Sequence, residues 1–185
     1  TSEVRLVDAA VADTTPVLVA PRERDVEYGV SHHGDKLLIL TNADGAEDFK
    51  IVEAPLTDPG RANWTDWREH EAGTLIRSVV AFAGHVVRLE RIDGLPRIVV
   101  TELDSSEEHA IEFDEEAYEL GILPGYKFDT TMLRFTYSSM TTPQRTYDYD
   151  MAARTRTLRK EQEIPSGHDP ESYVTRRLFV DSHDG

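Results

Sequence analysis

The stretch VVRLERIDGLPRIVVTEL, Val86 to Leu103, decides the fold. Two strand-like runs, VVRLERI and PRIVVTEL, flank Asp93-Gly94. Asp-Gly supplies the positive φ angles of a tight hairpin turn, so the two runs are expected to pair antiparallel. The second run has three counterparts: EVRLVDAA from Glu3, DFKIVEAP from Asp48 and QRTYDYDM from Gln144. With PRIVVTEL at Pro96, their starts lie 45, 48 and 48 residues apart. Each alternates apolar and polar side chains for much of its length. The clearest case sets Tyr147, Tyr149 and Met151 against Thr146, Asp148 and Asp150. A period of two marks a strand with one face buried.

The same pattern extends outward. KLLILTN (Lys36 to Asn42) and MLRFTYSS (Met132 to Ser139) occupy the place of VVRLERI in the neighbouring units. Asp44-Gly45 predicts a second tight turn, whereas Met140-Thr141-Thr142-Pro143 predicts a longer one in which Pro143 cannot donate to a ladder. Upstream stand VEYGVSHHG (from Val26), IRSVVAFAG (from Ile76) and YELGILPG (from Tyr118), small and apolar as innermost strands should be. Downstream come NWTDWREH (from Asn63), HAIEFD (from His109) and RTLRKEQE (from Arg156), charged enough for outermost strands. Four antiparallel strands every 45 to 50 residues are the mark of β-propeller blades, in an all-β fold. A sandwich of short strands would explain the alternation but not the fixed period. The expected units are a half blade over 1–22 and whole blades over 26–70, 74–114 and 118–163. Three and a half blades cannot close a ring, since propellers need roughly four to eight, so the chain reads as part of a larger propeller.

Composition narrows the function. With 39% apolar and 30% charged residues, the 185-residue chain is expected to fold in water. Its longest apolar run, SVVAFAGHVV, is broken by Gly84 and His85 and falls short of the roughly 18 residues of a membrane helix. TSEVRLVDAA has none of the zones of a signal peptide. Cysteine is absent, which removes disulfides, thiol catalysis and cysteine-ligated metals; a cytoplasmic location is the expectation that fits. Against 35 Asp and Glu stand 20 Lys and Arg, a net charge of −15. Such a field repels nucleic acid and anionic membranes and attracts basic peptides, although plain solubility is the simpler explanation of the charge.

Local features give little chemistry. A hydrolase nucleophile elbow needs Gly-x-Ser-x-Gly, and Ser31, Ser138, Ser139 and Ser166 all lack it. Adjacent His32 and His33 point to opposite faces of a strand, so with Asp35 they make a poor metal site. His70-Glu71 lacks the second histidine of a zinc motif. Trp64 and Trp67 suit packing onto a neighbouring blade better than an aromatic binding surface. The pairs Glu107-Glu108 and Glu115-Glu116 are either ordinary charged loops or part of a field drawing in basic peptides. Pro165-Ser166-Gly167-His168-Asp169-Pro170 marks a connection whose backbone is restricted but turning.

The runs TSEVRLVDA, VLVAPRERDVEYGVSHHGD, LTNADGAEDFKIVEAP, LERIDGLPRI, FDTTMLRFTYSSMTTPQRTYDYDM and GHDPESYVTRRLFVDSHDG together resemble one family. It is the prolyl oligopeptidase family of serine peptidases, in its oligopeptidase B branch, and the likeness runs through essentially all 185 residues. The resemblance implies a seven-bladed propeller capping an α/β-hydrolase domain that cleaves short peptides after Lys or Arg with a Ser, Asp and His triad. It implies that the propeller gates access, and that this chain is its second half. No triad residue, metal or cofactor maps onto this sequence. By the same resemblance 164–185 is the linker and first strand toward the hydrolase domain. Pro165, Gly167, Asp169 and Pro170 then lie near the interdomain hinge or in a static linker, Arg176 and Arg177 at interdomain contacts, and Tyr173 to Val180 forms that first strand. The implied partners are short basic peptides and the hydrolase domain of the same polypeptide, and the open blade sides of the isolated chain imply self-association. Two alternatives stand beside this: a standalone propeller-like binding or assembly module, and the propeller of another member of the family.

Overall fold

The computed structural model describes residues 1–181 and 183; positions 182, 184 and 185 of the expected connection lie outside the described residues. Strands β1 (Val4–Leu6) and β2 (Val17–Ala20) form a two-stranded antiparallel sheet. The second sheet comprises β3 (Tyr28–His33), β4 (Lys36–Thr41), β5 (Lys50–Pro55) and β6 (Thr65–Arg68) in that order. The third holds β7 (Thr74–Ala81), β8 (His85–Ile92), β9 (Leu95–Glu102) and β10 (Glu108–Ala110). The fourth holds β11 (Glu119–Leu123), β12 (Met132–Ser138), β13 (Arg145–Asp150) and β14 (Thr155–Glu161). Every neighbouring pair is antiparallel, and the chain passes from the last strand of one sheet to the first of the next. This is the all-β blade pattern that the spacing of the repeats predicts. Among the described residues no helix is long and apolar enough to cross a membrane.

The β8–β9 turn is the tight one: Ile92 pairs with Leu95 across Asp93 (φ 49°) and Gly94 (φ 78°). Both central residues are left-handed, which matches the twist of the flanking strands. Asp44-Gly45 differs from expectation. Asp44 (φ 60°) and Gly45 (φ 81°) have the left-handed backbone, yet they sit within a loop from Asn42 to Phe49. The loop is long because it is anchored sideways. Asn42 Oδ1 accepts from the Glu27 amide at 2.7 Å, its Nδ2 donates to the Asp25 carbonyl at 3.0 Å, and Ala43 is buried. Among the described residues, Tyr173 to Val180 pairs with no strand of this chain.

The core lies between the sheets. Alternate residues of β4 serve two interfaces: Leu37 and Ile39 pack toward Val19 and Ala20 of the two-stranded sheet, whereas Leu38 joins Ile76 and Val86 of the third. Phe82, Val87 and Ile98 meet Leu120, Leu133 and Phe135 in the largest cluster, between the third and fourth sheets. First strands also run side by side, with Ser31 Oγ donating to the Val79 carbonyl at 3.2 Å. The last strands are different. All of β14 is exposed and β10 has three residues, a short, charged edge of the kind that discourages further pairing.

The interface between the second and third sheets is only partly apolar. Arg88 and Glu90 share the Val86 face of β8 and are 1% and 0% exposed. Arg88 Nε donates to Glu90 Oε1 at 2.8 Å, and its two terminal nitrogens grip Glu108 at 2.6 and 3.1 Å. Thr101 Oγ1 accepts from Arg88 at 2.8 Å, and Arg97 Nη2 donates to the other Glu90 oxygen at 2.8 Å. Removing one member leaves a buried charge without its partner, which costs far more than the pair contributes. Arg88→Ala is therefore expected to destabilise the protein by roughly 3–5 kcal/mol in urea unfolding. Arg134→Ala, which removes an exposed partner of Asp148, should leave the unfolding midpoint nearly unchanged.

Candidate functional site

Antiparallel order places the starts of β3, β7 and β11 at the same sheet ends as the finishes of β6, β10 and β14. The C-terminal segment leaves β14 at that end and folds back onto it. Pro165 and Gly167 (φ 82°) make an exposed turn in which the Gly167 amide donates to the Ile164 carbonyl at 2.9 Å. Asp169 then caps a short 3-10 turn, Pro170–Ser172, accepting from the Glu171 amide at 3.1 Å and the Ser172 hydroxyl at 2.7 Å. Pro170 suits the first position of that turn, where no amide hydrogen is needed. The His168 ring stacks on Tyr173 at 5.9 Å, and its Nε2 donates to the Thr141 carbonyl at 2.7 Å. Arg176 Nη1 reaches Glu116 Oε1 at 2.5 Å, and the Arg177 amide donates to Glu116 Oε2 at 3.1 Å. Thus His168, Arg176 and Arg177 meet one corner of the fourth sheet, Asp169 and Pro170 form the turn between them, and Pro165 and Gly167 remain in the preceding turn.

That corner is built around Glu115. Its carboxylate accepts from Tyr137 Oη (2.6 Å), Ser139 Oγ (2.5 Å), Thr141 Oγ1 (2.8 Å) and Thr142 Oγ1 (2.6 Å). Burial alone would raise its pKa, but the four hydroxyl donors outweigh that and hold it at about 2. The Tyr137 phenol is pushed up in turn, by burial and then by the carboxylate it faces. Each hydroxyl has one proton, and all four protons point at Glu115. Ser139 Oγ is therefore free to accept from the amides of Thr141 (3.0 Å) and Thr142 (2.8 Å), which fixes the turn. Ser139 beside a carboxylate is not an activated nucleophile, since a base of pKa about 2 cannot take its proton near neutral pH.

Other residues picked from the sequence have packing partners. Glu107 pairs with Arg154 at 2.6 Å and Glu108 with Arg88, so this acidic pair meets cations of the same chain. His32 Nε2 donates to Gly34 at 2.8 Å; His33 Nε2 donates to Ala83 at 3.2 Å and meets Phe128 edge-on. His70 Nε2 accepts from the Asp48 amide at 3.3 Å. Trp64 Nε1 donates to Pro59 at 3.0 Å and packs on Tyr28, whereas Trp67 packs against the cluster shared with the third sheet. Sequence reading missed Tyr137, Ser139, Thr141 and Thr142. The available signal was the density of hydroxyls in YSSMTT, close to an acidic pair.

A pKa depressed in the folded state gives stability that is full above the ordinary carboxylate value and is lost as pH falls through the folded one. The Glu115 contribution should thus vanish between about pH 4.5 and 2. Glu115→Gln is expected to cost about 1–3 kcal/mol at neutral pH and to flatten that acid limb in pH-dependent unfolding.

The chain matches the model for the prolyl oligopeptidase N-terminal β-propeller domain over residues 1–162. Dipeptidyl aminopeptidase BI of Pseudoxanthomonas mexicana is 40% identical over 184 residues, covering 100% of this chain and 25% of the relative. Protease 2 of Moraxella lacunata is 25% identical over 186 residues, with 100% and 26% covered. The closed, antipain-bound oligopeptidase B of Trypanosoma brucei superposes with a TM-score of 0.89 at 31% identity, over 99% of this chain and 27% of that one. The chain therefore spans about a quarter of the length of these relatives. On the family match and this superposition together, the chain belongs to the N-terminal β-propeller family of the prolyl oligopeptidases.

Proposed function

We propose that this chain is the substrate-gating part of the propeller of an oligopeptidase B-like serine peptidase, which hydrolyses short peptides after Lys or Arg. The fit of its sheets to oligopeptidase B carries the reading. Peptide hydrolysis is acyl transfer through a serine nucleophile, a base and an oxyanion hole, and the described residues of this chain bring no such set together. Its contribution is steric and electrostatic. Stacked blades around a narrow passage exclude folded proteins, and a charge of −15 favours basic peptides. In this reading the enzyme is cytoplasmic and uses no cofactor. Residues 164–185 lead to the hydrolase domain of the same polypeptide, with Pro165, Gly167, Asp169, Pro170, Arg176 and Arg177 in the connector.

A second reading has its own support. The relative at the highest of these identities is named a dipeptidyl aminopeptidase, which points to release of dipeptides from a free amino end. The two readings separate on one assay of the whole polypeptide. An arginine-containing chromogenic peptide is cleaved with a blocked amino end if the first is right, and only with a free amino end if the second is. No serine-inhibitor-sensitive cleavage of either substrate would refute both.

Two outcomes concern the 185-residue chain alone. It should show no turnover of either peptide. It should also self-associate in sedimentation velocity as its concentration rises, because the two-stranded sheet leaves strand edges open and Val7, Val11 and Val17 exposed. A monomer at every micromolar concentration would contradict the open-edge expectation.

A further inference from the structure

The connector is fastened along part of its length. Thr141 Oγ1 spends its proton on Glu115, so the 3.4 Å contact with Thr175 Oγ1 has Thr175 as the donor. His168 holds the Thr141 carbonyl, and Glu116 holds both the Arg176 guanidinium and the Arg177 amide. Thr175 and Arg177 are half-buried against the blade, whereas Val174, Arg176 and Leu178 are exposed. Arg177 Nη2 also reaches the third sheet, lying 4.0 Å from where a Cβ on Gly94 would sit. Beyond Arg177, Leu178, Phe179 and Val180 are exposed. Fixed points therefore run at least from His168 to Arg177, whose guanidinium also lies over the Phe179 ring at 4.6 Å, on both sides of the capped turn at Asp169.

We infer that residues 168–177 are a strap clasped to the last blade by Glu115 and Glu116, and that the pivot toward any following domain lies after Arg177. The inference rests on the proposed function only in supposing that such a domain follows. Rotation about Pro165 or Gly167 is blocked, because the chain on either side of that turn is held to the same sheet. Glu115 acts through the turn Ser139 to Thr142, and Glu116 acts directly. Both are positioning residues.

Two experiments test this. Trypsin must draw the strap into an extended conformation to cut after Arg176 or Arg177, so the clasp slows it. In the 185-residue chain, Glu116→Ala is expected to accelerate those cuts about fivefold by mass spectrometry, with cleavage elsewhere unchanged. Glu171→Ala, an exposed acid on the same segment but outside the clasp, should leave the rate as it is. No acceleration from Glu116→Ala, or equal acceleration from Glu171→Ala, overturns the clasp. In the whole polypeptide, a Thr141→Cys/Thr175→Cys disulfide should lock the strap. If the pivot lies after Arg177, kcat/KM is the same before and after reduction; a loss of activity that reductant restores would place the pivot inside the strap. Should the whole polypeptide cleave no peptide, the proposed function fails and the tryptic result alone decides the clasp.

Discussion

No sheet in this chain can bury its apolar faces alone. The second and third sheets carry apolar side chains on both sides of their middle strands, as Leu37 and Leu38 of β4 show by entering different clusters, whereas the fourth carries them on the one face that holds Leu133, Phe135 and Tyr149. Burial comes only from the neighbouring sheet, and at about 25 cal/mol per Å² that face-to-face contact is the main favourable term. Order in sequence then becomes order in space, since each interface joins consecutive sheets. The arrangement behaves as a one-dimensional array in which stability is shared between neighbours.

Polar chemistry is placed where this packing leaves room. Between the third and fourth sheets the fit is apolar and aromatic, with Phe113 stacked on Tyr137 at 4.9 Å and edge-on to Phe135. Between the second and third, Arg88 and Glu90 occupy space that hydrocarbon would otherwise fill. A buried pair of this kind adds little net stability but penalises any misplacement, so it fixes how the two sheets register. The Glu115 cage does the same at the corner where the connector departs. It turns four hydroxyls inward and so dictates which of their lone pairs remain for the backbone and for Thr175. The two charge networks thus hold geometry rather than perform chemistry.

Much of the architecture was legible because propeller blades depend on local signals. Period-two alternation and Asp93-Gly94 are properties of short segments, and the regular spacing of those segments along the chain reveals the repeat. What escaped depends on distant partners. Asp44-Gly45 has the residues of a tight turn, yet Asn42 ties its loop to Asp25 and Glu27, and no local pattern announces that. By alternation alone Arg88 and Glu90 would face water; a neighbouring sheet buries them. In the candidate site, the prolines, glycine and arginines of the connector stood out by composition. Glu116 was noticed only as a charge, and the hydroxyls of Tyr137, Ser139, Thr141 and Thr142 passed as ordinary polar residues until the fold brought them to Glu115.

Interdependence of adjacent sheets is the claim on which the rest stands, and native-state hydrogen exchange reads it directly. Leu133 lies on β12 of the fourth sheet but belongs to the cluster shared with Val87 and Ile98 of the third. In Leu133→Ala, the slowest amides of β8 and β9 should lose protection together with those of β12 and β13, by amounts matching a total loss of about 2–5 kcal/mol. Loss confined to β12 and β13, with β8 and β9 as protected as before, would mean that each sheet stands by itself and would contradict this account.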